Sequence, residues 1–130
     1  MLNNPAMYMA TDSIKRTIDN SGIKTHYGTK NTSFSTNANP YAFRWGHVVV
    51  LAGWLQLSAV PTSESDVLVT YNDLIFRGNY TLMMYDQSAG DFCTTYISIN
   101  TNYIRKGTWN MSGRQGHILN FMGFAMADEA

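Results

Sequence analysis

Chemically capable side chains are sparse in this 130-residue chain, and their spacing narrows what they can do. Asp86 and Asp91 flank one short polar turn, while Glu64 and Asp66 share a loop. Paired carboxylates serve glycoside hydrolysis when one acts as acid and the other as base or nucleophile. Acids at the feet of a hairpin are more commonly turn formers or weak calcium ligands, so no catalytic residue is assigned. Trp109 stands in a polar loop between Gly107 and Gly113, with Asn110 and Arg114 near it, and Tyr85 adjoins Asp86. Saccharide sites use such parts: an aromatic face covers the apolar C–H side of the ring, and carboxylates, amides or arginine grip the hydroxyls. The candidate ligand-binding residues are therefore Trp109, Arg114, Asp86, Asp91 and Tyr85, and a binding protein rather than an enzyme is expected. Trp54 suits core or interface, and Trp45, beside Gly46, suits a structural place.

The other reactive residues form no set. His26, His47 and His117 lie in three separate segments, without the paired spacing that holds zinc, so neither a metal nor another cofactor is expected. His47 and His117 each follow a glycine and fit the start of a strand. Cys93 is the single cysteine; it excludes an intrachain disulfide and reads as a small buried hydrophobe. No serine sits in Gly-x-Ser-x-Gly, and no glycine-rich phosphate loop occurs.

Composition sets further bounds. Charged residues make up 14% of the chain, against about 25% in ordinary soluble domains. The polar remainder leans on Asn, Ser and Thr, a profile that suits an extracellular or particle-borne β protein. Nine basic and nine acidic residues cancel, and nucleic-acid binders need a basic field, so that class is excluded. No apolar run reaches the ~18 residues of a membrane helix, so membrane insertion is not expected. The opening MLNNPAMYMATD has neither a basic start nor a continuous apolar centre, unlike a secretion signal. The glycosylation triplets at Asn31, Asn79 and Asn110 are discounted with it.

The elements that must position these residues are strands. RWGHVVVLAGWLQLS, residues 44–58, is apolar on both faces at period two. One face carries His47, Val49, Leu51, Gly53, Leu55 and Leu57; the other carries Val48, Val50, Ala52 and Trp54 before turning polar at Gln56 and Ser58. A half-buried strand alternates apolar with polar, so the first half of this one is expected to be covered on both sides, the second cover being another subunit. Long strand 42–58 is followed by shorter strands at 66–71, 80–86, 92–99, 103–106 and 117–127, separated by turn-forming Asn, Asp and Gly, with residues 74–76 leading into the turn Arg77-Gly78-Asn79. Gly53 suits a bulge or a close approach. Upstream, residues 12–22 could form a short helix with Ile14 and Ile18 on one side, and residues 23–40 a polar hairpin or edge strands. The weak patterning of this first third suggests a neck or a fragment of a longer fibre.

The order of these pieces resembles the C-terminal head domains of bacteriophage tail fibres and baseplate receptor-binding proteins. The shared parts are Arg44-Trp45-Gly46-His47 running into a Val-rich strand that reaches Gly53, an Ile-bearing hairpin at residues 96–104, and a closing strand at 116–128. The segment VTYNDLIFRG has Leu74 and Arg77 without the prolines that accompany them in that family. The resemblance implies a homotrimer of jelly-roll-like heads on a phage tail, binding a bacterial cell-surface saccharide on the sides or at the subunit clefts, among other tail or baseplate proteins.

The expected fold is thus all-β, an antiparallel β-sandwich or jelly-roll-like head, trimeric, with an N-terminal arm or neck helix over residues 1–40 and the head over 41–130. The expected function is host recognition by a non-enzymatic adhesin. Its rivals are a purely structural trimerisation or capping domain of a fibre or baseplate, and a small jelly-roll lectin of cellular origin.

Overall fold

The structure, a computed structural model, describes residues 22–130. The helix expected within residues 12–22 falls almost wholly outside the described residues. Those residues form an all-β, antiparallel fold with no helix among them.

The stretch expected to be one strand over 42–58 is a hairpin. Strand β3 (Ser35–Trp45) ends before Gly46, and β4 (Val48–Leu57) starts after His47. Trp45 pairs directly with Val48, so the loop has two residues, and Gly46 has φ 62°. A hairpin loop with glycine in that first place matches the right-handed twist of its strands, and a Cβ would oppose it. Apolar residues on both arms hid the reversal. Farther along, Gly53 faces Pro40 in the register. A Cβ on Gly53 would lie 2.1 Å from the Asn39 carbonyl oxygen, so the close approach expected there is real.

The other strands are β1 (Ile23–Tyr27), β2 (Thr29–Lys30), β5 (Val67–Thr70), β6 (Leu74–Phe76), β7 (Tyr80–Asp86), β8 (Asp91–Ile97), β9 (Tyr103–Arg105) and β10 (Ile118–Glu129). Their lateral order is β1-β3-β4-β10-β7-β8-β9-β5-β2. The first and last strands of that path are separated in sequence by Gly28 alone, whose N–H bonds Pro40 O at 3.0 Å. Residues 23–30 thus pair with β3 at one end and β5 at the other, and the sheet curls into a nearly closed barrel.

β10 is the central staple. It pairs with β4 from Ile118 to Met126, with β7 over its first part and with β6 over its last. Between these two, the Tyr80 hydroxyl accepts the Met126 N–H at 2.9 Å. Alternation sends Val49, Leu51, Leu55 and Leu57 of β4 inward, where they meet Leu119, Met84, Ile97 and Ile104, all fully buried. Each buried leucine of this kind contributes about 2 kcal/mol.

The opposite parity faces out. Val48, Phe43, Trp45, Met122, Phe124 and Met126 are all exposed on the outer surface of β3, β4 and β10. The outward row of β4 is therefore only partly sheltered within a single chain.

Candidate functional site

Asp86 closes β7, Asp91 opens β8, and the two stand directly opposite one another. Asp86 is fully buried, whereas the Asp91 side chain is about half exposed. The segment 106–117 between β9 and β10 folds over them. It is anchored by the fully buried Met111 and by backbone bonds from Gly107 N to Glu64 O and Gly116 N to Leu57 O. Arg114 reaches from it to both acids. Its Nη1 donates to Asp86 Oδ2 at 2.6 Å and Asp91 Oδ1 at 2.7 Å, and Nη2 donates to Asp91 Oδ2 at 3.2 Å.

His117 completes the cluster, with Nδ1 2.8 Å from Asp86 Oδ2. The other Asp86 oxygen accepts the N–H groups of Ser88 and Ala89. Burial pushes the Asp86 carboxyl up, yet the bonds from His117, Arg114 and Ala89 outweigh it and hold it below the ordinary carboxylate range. The Arg114 bond likewise lowers Asp91, and the Asp91 bond raises Arg114 against the opposing effect of burial. Both Nη groups of the arginine are engaged by the acids while its Nε stays buried without a partner, and the cluster acts as an ionic latch holding the 106–117 segment on the β7–β8 hairpin. Among the described residues the His117 ring bonds Asp86 and no nucleophilic side chain.

Tyr85 lies elsewhere. Neighbouring residues of a strand point to opposite faces, so while Asp86 enters the interior Tyr85 stands outside. Its ring lies 5.1 Å from that of Phe92, beside a depression of about 350 Å³ also lined by Met83, Asn120, Phe121 and Met122. Trp109 is 43% exposed on the latched segment, between the turn at Gly107 and the buried Met111. The next residue, Asn110, accepts the Ser112 N–H at 2.9 Å and tightens the turn. Arg114, Asp86 and Asp91 thus form one cluster, with Trp109 displayed on the segment they fix and Tyr85 on the outer wall.

A second polar cluster plugs the other end of the barrel, near the finish of β10. Arg44 Nε donates to His26 Nε2 at 3.2 Å, which leaves Nδ1 to donate to Asp73 Oδ2 at 2.6 Å. Arg44 and Lys24 both approach Glu129, at 3.3 and 3.1 Å, and the Lys24 bond leads in holding that carboxyl low. Nothing in the spacing of His26 or His117 signals these partners, which lie 47 and 31 residues away. Among the described residues no group of three or more His, Cys, Asp or Glu is placed to hold a metal ion.

Compared with known proteins, the chain matches no family model, no curated protein and no solved structure.

Proposed function

We propose that this chain is a non-enzymatic attachment head of a bacteriophage tail fibre or baseplate, a jelly-roll-like homotrimer that binds a bacterial cell-surface saccharide. The observation that carries the reading is Trp109, an exposed indole on a segment immobilised by Met111 and by the Arg114 latch. An indole carried on an anchored segment loses little backbone freedom on binding, and its face suits the apolar side of a sugar. Arg114 and Asp86 are engaged with one another and support the site from beneath. Asn110 adjoins Trp109 in sequence, and Asp91, though paired with Arg114, keeps its side chain about half exposed. Weak contacts repeated over a trimer, and over many trimers on a tail, give firm attachment through effective concentration.

One observation favours a second reading, a structural trimerisation or capping domain: the outer wall of the barrel is apolar and exposed, as an assembly surface is. A bacterial polysaccharide array probed with the full chain separates the two. The adhesin gives hits that Trp109→Ala abolishes, while its melting temperature stays that of the parent. An array without hits, or hits unaffected by Trp109→Ala, removes the saccharide site and leaves the structural domain.

A further inference from the structure

We infer that the outer wall formed by β3, β4 and β10 is the surface on which a second copy of this chain docks, the Met122–Phe124 ridge of one copy entering the groove of the next. The inference names the interface of the assembly proposed above and shares its oligomer, but it does not depend on the saccharide.

The groove follows from the register. Val48, Val50 and Ala52 of β4 lie side by side with Trp45, Phe43 and Tyr41 of β3, and on the other side with Met126, Phe124 and Met122 of β10. Small side chains on the middle strand make a floor, and large ones on both neighbours make walls. The groove, about 430 Å³, lies at the Val48 and Val50 end of that floor, between Phe43 and Trp45 of β3 with Ile23 and Thr25 of β1 on one side and Phe124 of β10 on the other, and its lining is almost wholly apolar. Its β10 wall, Phe124, continues into a ridge with Met122: Met122 is 76% and Phe124 74% exposed, the two most exposed large apolar side chains of the described residues. Beyond the ridge lies the Tyr85–Phe92 depression, so the ridge stands between two hollows.

The chemistry selects the occupant. From the Trp45–Val48–Met126 row to the Asn39–Trp54–Asn120 row, no outward position of β3, β4 or β10 is charged. A partner with an ordinary charged surface would bury ions here without counter-ions, at heavy cost. A second copy brings a surface equally free of charge, with a ridge shaped by the same side chains as the hollow it fills. The area is adequate. With β1, β7 and β8 included, the wall covers roughly 500 Å² in projection and more in accessible surface. In projection that stands at the large end of the roughly 300–600 Å² of a typical monomer's biggest apolar patch, and the protruding side chains bring its accessible surface toward the ~800 Å² per partner of a standard interface. With the ridge of one copy in the groove of the next, the contact is head-to-tail, and such contacts form rings such as trimers where the rotation closes.

Sedimentation equilibrium of the full chain is the test. The parent is expected at a multiple of the 14.6 kDa chain mass. Phe124→Glu with Met122→Glu is expected to sediment at the mass of one chain, its association weakened roughly 100-fold or more. Both positions are exposed in the single chain, so far-UV circular dichroism and the melting transition should persist. Cysteines placed together at Met122 and Phe43 should give disulfide-linked multimers under mild oxidation, which reports the ridge in the groove even if the charged variant misfolds. A parent that sediments as one chain at high concentration, whether residues 1–21 cover the wall or nothing does, overturns the inference. So does a multimer that survives the charged substitutions or yields no cross-link. None of these outcomes bears on saccharide binding by Trp109.

Discussion

The guanidinium of Arg114 meets the carboxylate of Asp86 at 2.6 Å across 28 residues of sequence, at a point where Asp86 has no contact with solvent. Removing the cation leaves a buried anion short of its main partner. Arg114→Met is expected to cost about 3 kcal/mol, read as a fall in the urea midpoint. Asp91→Asn should cost less, since that side chain is half exposed and Asp86 keeps its arginine. Equal midpoints for parent and Arg114→Met would show that the latch does not hold the fold.

Acid should loosen the protein in a defined window. Asp86, Asp91 and Glu129 all have carboxyls held below their ordinary range, so each binds a proton more readily unfolded than folded. Their contribution is complete above the ordinary carboxylate value of about 4 and is lost as pH falls through the lower folded values. Denaturation midpoints measured stepwise from pH 7 should show these acids contributing in full down to about 5, then declining steeply below about 4. Arg114→Met should flatten that decline, because Asp86 and Asp91 then lose the bond that holds them low.

Gly53 separates two costs of adding a methyl group. Its φ is 122°, and a Cβ would fall 2.1 Å from Asn39 O, backbone that cannot swing aside. At Gly90 φ is 73°, but a Cβ meets nothing within 4 Å. Gly90→Ala is expected to cost about 1 kcal/mol from conformation alone. Gly53→Ala should cost more than about 3 kcal/mol or prevent folding, because strand β3 must move as well. Similar urea midpoints for the two variants would contradict the close approach.

Cys93 should be chemically silent in the folded chain. It is fully buried, and burial pushes its thiol up to about 11. A disulfide reagent at pH 8 should label it only after urea has passed the unfolding midpoint, at a rate that tracks the unfolded fraction. Prompt labelling without denaturant would place the thiol outside the core.

The sequence made β8 legible where Tyr96-Ile97-Ser98-Ile99 alternates, because period two reports one buried face, and the strand Tyr80–Asp86 legible between its flanking turns. It concealed the Gly46 hairpin, since Phe43 and Trp45 before Gly46-His47 and Val48 and Val50 after it belong to one outward apolar face, so a period-two apolar pattern runs up to the turn and resumes beyond it. The barrel seam was equally hidden. Residues 23–30 are mostly polar, and only the pairing of Tyr27 with Tyr41 and of Thr29 with Thr70 reveals that they join two distant strands. Asp86, Asp91 and Arg114 were legible as polar residues at a hairpin and loop. His117 was not, because its bond to Asp86 depends on Leu119 lying opposite Asp86 in the sheet.

The position of β10 has a consequence for biosynthesis. Every sheet neighbour of that strand (β4, β6 and β7) is made earlier, yet each leaves an edge unpaired until the stretch ending at Glu129 emerges from the ribosome. A nascent chain must therefore carry sticky, half-finished ribbons until β10 has been made, and these native contacts form late and across long separations. Chaperone dependence during synthesis, relieved once Ile118–Glu129 has cleared the ribosome, is the expected consequence of such a topology.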